Sequence, residues 1–214
     1  MDRLPFDPYD FFGYIPAGLL AVVGMELVFG FPQVLGKDLK AVEIALLILG
    51  VYVAGQAIAT PAKFLLEDVI VDKILKRPTI NLLRDKPPRL GRLIFPGFYK
   101  PLPPAARKRV KDLAAGLKAE DLFMAVRYCS QVRSDEKLIK RLDSFRDKYG
   151  FNRNLAFTSL VFGGALLLKA RWHWDPALFQ YGWTAVVVGI LLFYRYLMFF
   201  CQYSYELFNC YGGR

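Results

Sequence analysis

Four apolar runs govern what this chain can fold into: residues 11–31, 41–59, 155–168 and 176–200. Crossing about 30 Å of hydrocarbon takes about 20 helical residues at about 1.5 Å each, so runs one, two and four have the reach of transmembrane helices. Run three is shorter. It reaches that length only by borrowing Phe151 on one side and Lys169, Arg171 and Trp172 on the other, through snorkelling stems and an interfacial tryptophan. With 55% hydrophobic and 15% aromatic residues among 214, the composition excludes intrinsic disorder and a collagen-like fibre. Three cysteines, Cys129, Cys201 and Cys210, without a CxxC, speak against a disulfide-stapled secreted module and are expected as free thiols in a reducing cytoplasm.

The expected fold class is therefore all-α: four transmembrane helices with a helical, basic cytoplasmic domain inserted between spans two and three. The expected divisions are 1–60 for spans one and two, 61–153 for the basic domain, 154–201 for spans three and four, and 202–214 for an aromatic cytoplasmic tail. A two-span arrangement, with runs two and three buried in a soluble core, is the competing layout. Run one does not read as a cleaved signal, because Asp2, Asp7 and Asp10 precede it against a single Arg3. Pro16 lies about one turn into this run, where a helix start tolerates proline, and Pro32 marks its end.

Orientation follows from Lys and Arg near the span ends. Residues 63–153 hold 22 of the 29 basic residues, whereas the two short connections hold Lys37 and Lys40, then Lys169 and Arg171. The middle is thus expected in the cytoplasm, both termini with it, and the protein as a multi-pass membrane chain. After span two, residues 63–75 keep helical spacing of apolar residues and continue that helix until Pro78 stops it. The proline- and glycine-rich stretch to Pro104 predicts a structured loop around Leu93, Ile94, Phe95, Phe98 and Tyr99. One helical face then gathers Val110, Leu113, Ala114 and Leu117, and a short helix opening near Glu120 and Asp121 carries Phe123 and Val126. Ser134 is the expected cap of a further helix whose seam is Leu138, Leu142, Phe145 and Tyr149. The aromatic tail is expected to continue the fourth helix and to pack on the middle domain or on neighbouring subunits.

Chemistry by spacing is thin: there is no Walker loop, GxGxxG, HExxH, GxSxG or DxDxDG, so no catalytic residue, metal site or cofactor is assigned and the chain reads as a non-enzyme. His173, between Trp172 and Trp174, reads as part of an interfacial anchor, and Arg195 as a snorkelling cation. Glu26, Glu43 and Gln56 are the pore candidates, because a carboxylate inside a membrane faces a bundle interior or water, and an oligomer turns each into a ring that concentrates cations. Their plainer roles are an interhelical hydrogen-bonded carboxyl for Glu26 and interfacial placement for Glu43. Paired glycines in each run suit close helix approach.

The middle sets 22 cations against eleven acids. Anionic lipid and topology account for such a surplus at about 1 kcal/mol per cation. Yet Arg107, Lys108, Arg109, Lys111, Arg127, Arg133, Lys140, Arg141, Arg146, Lys148 and Arg153 are interleaved with aromatic rings, the pairing that holds a phosphodiester backbone and stacks bases. They are the candidate ligand-binding residues.

Three phrases carry a resemblance: Tyr9-Asp10-Phe11-Phe12-Gly13-Tyr14-Ile15-Pro16-Ala17-Gly18, Tyr149-Gly150-Phe151-Asn152-Arg153-Asn154, and Arg195-Tyr196-Leu197 with Tyr203-Ser204-Tyr205-Glu206. Together, over about a quarter of the chain, they resemble small four-span bacterial membrane effectors of anti-phage defence, of which the Hailong-type effectors are the nearest named group. The resemblance implies a homo-oligomeric ion channel of a bacterial inner (plasma) membrane, a tetramer being the candidate assembly, held closed by a nucleic-acid product of a partner nucleotidyltransferase. Single-stranded DNA or a cyclic oligonucleotide is then the expected ligand, beside membrane lipid. Two other classes compete: a non-conducting membrane anchor or adaptor that recruits a soluble partner or anionic lipid, and a lipid enzyme resting on Asp68, Asp72 and Asp85.

Overall fold

A computed structural model describes residues 8–30, 39–84, 88–113, 119–129 and 134–213. Among them the only regular secondary structure is helical, with no strand. The elements are α1 (Pro8–Phe29), α2 (Ala41–Ala62), a π-helical segment (Lys63–Leu75), α3 (Pro78–Leu83), α4 (Arg89–Ile94), α5 (Pro104–Leu113), α6 (Ala119–Tyr128), α7 (Glu136–His173) and α8 (Pro176–Gly213). Three stretches among the described residues are long and apolar enough to cross a membrane: Ala41–Leu83, Glu136–His173 and Pro176–Cys210. In α1 the apolar stretch, Gly13–Phe29, is shorter.

These helices differ from water-soluble ones in what they leave outside. In α2, Val42, Ile44, Leu46, Ile48, Leu49 and Val53 are exposed, and in α8 Phe179, Trp183, Val187, Ile190 and Leu191. Helices that are apolar on every side need lipid or protein around them, since water would expose a continuous apolar surface.

The chain divides into two compact units. The first comprises residues 1–68 and 150–193. Here α1 and α2 approach to backbone contact: a Cβ on Gly18 would lie 1.8 Å from the Val51 carbonyl oxygen, and one on Gly55 would lie 2.0 Å from that of Tyr14. Tyr14 precedes Gly18 by four residues, as Val51 precedes Gly55, so each helix offers one carbonyl and one glycine at one-turn spacing to the other. The Tyr14 and Tyr52 rings meet edge to face beside this contact, centroids 6.1 Å apart. Small residues serve α7 and α8 likewise, with Gly163 against Val186, Gly182 against Leu167 and Gly189 against Leu160. Gly24 of α1 accepts the Phe162 ring, while Gly50 and Gly164 face open space. At Gly30, φ is +72° and the N–H donates to the Glu26 carbonyl at 2.9 Å, a glycine C-cap that ends α1. Lys169 Nζ donates to the Leu27 carbonyl at 2.8 Å and satisfies another group of that last turn.

The second unit comprises residues 69–149 and 194–214, so the aromatic tail belongs with the charged stretch. Leu82, Phe98, Leu102, Val110, Leu122, Val126, Tyr196, Leu197, Leu207 and Phe208 are each at most 2% exposed. Around them Tyr149 packs on Tyr196, Phe200 and Tyr203, and Phe123 on Tyr203 and Phe208. Of the two surfaces open to the tail, the middle domain is the one that these contacts supply.

Four local expectations change. Pro16 lies inside α1, which begins at Pro8, and not in a first turn. Residues 63–75 do continue α2, but with wider π-helical turns, and the segment stops at Lys76, whose φ is +64°. Asn81 Nδ2 caps it by donating to the carbonyls of Leu75 and Lys76 at 3.2 and 2.9 Å, while Pro78 opens α3 instead of closing a helix. The stretch expected as loop contains α3 and α4, six residues each, too short to show a periodic pattern. The cap of α7 is Asp135, whose Oδ1 accepts the Leu138 N–H at 3.0 Å, one residue beyond Ser134. From there α7 runs 38 residues without a break, so run three reaches beyond its apolar part in both directions.

Candidate functional site

The basic unit is built on amphipathic helices. In α5, Ala106 and Val110 are buried one turn apart, which turns Lys108, Arg109 and Lys111 outward and leaves all three exposed. Arg107, half-buried on the same helix, donates from Nη1 to the Arg84 carbonyl at 3.1 Å. In α7, Leu138 and Leu142 are buried, and Lys140 and Arg141 project from the opposite side.

The candidate cations fall into two groups by what surrounds them. Arg141 Nη1 meets Glu206 Oε2 at 3.4 Å, and Arg146 lies 3.4 Å from both Asp143 and Asp147. Arg127 sits 5.7 Å from the Tyr203 ring centre, and Lys148 sits 5.8 and 5.9 Å from those of Phe145 and Phe199. Such contacts hold a cation in place at a cost to any other anion that would use it. Lys108, Arg109 and Lys140 form the solvent-facing group; Lys111 is exposed as well but has a contact of its own. Arg133 and Asp85 lie outside the described residues.

Arg153 belongs to the first unit, where its Nη1 meets Glu67 Oε2 at 2.7 Å with side chains only 12% and 18% exposed. Asn154 Oδ1 lies 3.4 and 3.3 Å from Arg153 Nε and Nη2, and Thr158 donates its hydroxyl to the Asn154 carbonyl at 2.9 Å. Asn152, Asn154, Thr158 and Ser159 are all buried, and Asn154 Nδ2 has no partner. Of this polar cluster at the head of the third apolar run, Arg153 was among the sequence candidates, while Glu67, Asn152, Asn154, Thr158 and Ser159 were not. Its signal was present in Asn152-Arg153-Asn154, three polar residues that lead directly into an apolar helix.

The three pore candidates lie on α1 and α2. Glu26 is half-buried on α1. Glu43, exposed in the first turn of α2, accepts the Lys40 backbone N–H through Oε2 at 2.8 Å, which is one half of a capping box. Gln56 Nε2 donates to Tyr52 Oη at 2.7 Å on the exposed side of α2. Of the lipid-enzyme acids, Asp72 is engaged by a two-pronged contact with Arg77, Nε to Oδ1 being 2.7 Å. His173 and its flanking Trp172 and Trp174 are exposed, with the Arg171 guanidinium 4.8 Å from the Trp174 ring centre. No three His, Cys, Asp or Glu side chains among the described residues come together to hold a metal ion. No disulfide joins the three cysteines.

No protein-family model, curated protein or solved structure matches the chain.

Proposed function

We propose that this chain is a homo-oligomeric, four-span membrane effector of bacterial anti-phage defence, a conduction pathway whose opening is controlled by a nucleotide or oligonucleotide held at its basic cytoplasmic unit. The observation that carries the reading is the sharing of helices. Both α7 and α8 are uninterrupted over 38 residues, and each contributes residues to both units. A ligand that favours one arrangement of the basic unit therefore acts on the same helices that supply two spans. Differential affinity for two states is all that such a switch requires. The three phrases that resemble four-span defence effectors support the same reading, with Lys108, Arg109, Lys111 and Lys140 as the phosphate contacts and Glu26 as the pore carboxylate.

The test is binding and mass together. The protein, purified in detergent, is expected to form a stable oligomer that binds fluorescent single-stranded DNA with an affinity that falls as salt rises. Replacing Lys108, Arg109, Lys111 and Lys140 by Ala weakens binding and flattens the slope of log K against log salt by about 0.7 per lost contact. Unchanged affinity in that variant overturns the assignment. Glu26→Gln is expected to change cation selectivity, and identical currents would leave Glu26 a packing residue.

One observation favours the second reading, a non-conducting anchor or adaptor. Arg127, Arg141, Arg146, Lys148 and Arg153 are engaged inside the chain, which leaves fewer cations for a nucleic acid. A monomer that binds no oligonucleotide would establish it.

A further inference from the structure

In the first unit, α1, α7 and α8 leave a groove of about 410 Å³ between Leu20 and Leu27 of α1, Leu155 and Leu166 of α7, and Tyr181 and Leu192 of α8. Its lining is almost wholly apolar, although Ser159, Thr184 and Tyr181 are among the lining residues. Water has too few partners there to be held. Eleven helical steps from Tyr181 to Leu192 make the groove about 16 Å long, close to half of the about 30 Å hydrocarbon thickness, which is one leaflet.

One end of the groove is charged. Leu27 lines it, and the Lys169 ammonium is held 2.8 Å from the Leu27 carbonyl oxygen. That bond uses one of three ammonium donors, and among the described residues no carboxylate pairs with Lys169, so its charge and two N–H groups are there for another acceptor. Trp172 and Trp174, 85% and 79% exposed, follow Lys169 within five residues, the position of an interfacial aromatic belt.

We infer that the groove seats one acyl chain of a membrane phospholipid and that Lys169 takes the phosphate of its headgroup. An apolar helix of a second copy would fill the groove but would bring nothing to the ammonium at its end. A phospholipid supplies both an apolar chain of one-leaflet length and an anion where that chain meets water. The inference rests on the membrane-spanning reading and adds to it a bound lipid in the leaflet of the α7–α8 connection.

The test begins with alkaline carbonate washing of membranes. Release of the protein without detergent would overturn the membrane reading and this inference with it. Retained protein is purified as the full chain and titrated by native mass spectrometry with phosphatidylglycerol and with a diacylglycerol of the same chains. Wild type is expected to bind one phosphatidylglycerol per chain ahead of further lipids. Lys169→Met weakens phosphatidylglycerol about fivefold and leaves diacylglycerol unchanged. Val188→Trp, at a lining residue 42% exposed and so outside the core, loses both lipids, and Thr184→Trp does the same. Equal lipid binding in wild type and both groove-filling variants would overturn the inference, as would an oligomer that Val188→Trp dissociates without change in lipid binding.

Discussion

With side chains 12% and 18% exposed, Arg153 and Glu67 form a pair that has left most of its water behind. Removing one partner leaves the other charge without compensation. Glu67→Gln is expected to cost roughly 2–3 kcal/mol, below the fully buried case because some solvent contact remains, and Glu67→Met with Arg153→Met to recover most of it. Thermal unfolding in detergent measures both. Tyr99 presents the other sign of burial. The residue is 4% exposed and its hydroxyl donates to the Leu75 carbonyl at 3.1 Å; burial holds the phenol above its ordinary 10.0, while the Arg84 charge pulls the other way. A raised phenol pKa means that the folded state keeps its proton longer than the unfolded one. Its stabilisation is complete below pH 10 and is lost as pH rises through 10 toward the folded value. Tyr99→Phe should therefore be less stable at neutral pH by about 1 kcal/mol and show a shallower alkaline loss than wild type, read from unfolding midpoints between pH 8 and 11. Identical slopes would leave Tyr99 without a part in alkaline stability.

Helices pack here by how closely their backbones approach. Adding a methyl at Gly18 or Gly55 drives a carbon to 1.8 or 2.0 Å from a carbonyl oxygen that belongs to rigid helix backbone, so α1 and α2 must separate. Gly18→Ala and Gly55→Ala are each expected to destabilise by about 2–3 kcal/mol. Gly50→Ala meets nothing within 4 Å and gains helix propensity instead, so it should be neutral or slightly stabilising. Comparable losses at all three positions would mean that the approach of α1 to α2 is not what these glycines serve. Gly50 and Gly55 were visible as a pair in the second run, but Gly18 was not singled out in the first, where Gly24 and Gly30 formed the pair, and which glycines touch another helix could not be told. A strip of small residues states that close approach is possible, and only the facing helix decides where it happens.

The proposed four-span reading assigns the exposed apolar surface to lipid and the basic surplus to topology, and the orientation can be checked on the whole molecule. In the four-span arrangement, a cysteine placed at His173 in a variant without Cys129, Cys201 and Cys210 is labelled by a membrane-impermeant maleimide added outside, and one placed at Lys140 only after the membrane is opened. Labelling of both from outside would refute the orientation. The existence of long apolar helices was legible from composition and run length, because hydrocarbon thickness translates directly into residue number. So was the seam of α7, where Leu138 and Leu142 recur at one-turn spacing and are buried. The joining of that seam to the third apolar run in one helix of 38 residues was not, since Gly150 and the polar Asn152, Arg153 and Asn154 look like a boundary until Glu67 is found opposite. Nor could the order of residues tell which cations remain open to a ligand. Positive charge and aromatic content are properties of the sequence alone, and they determined that the middle would be basic and would interleave its cations with rings. Whether a given cation faces solvent, an acid or a ring depends on which residues distant in the chain fold onto it. Tertiary structure alone made that decision, setting Arg127 over Tyr203 and Arg141 against Glu206 while leaving Lys108 and Arg109 exposed.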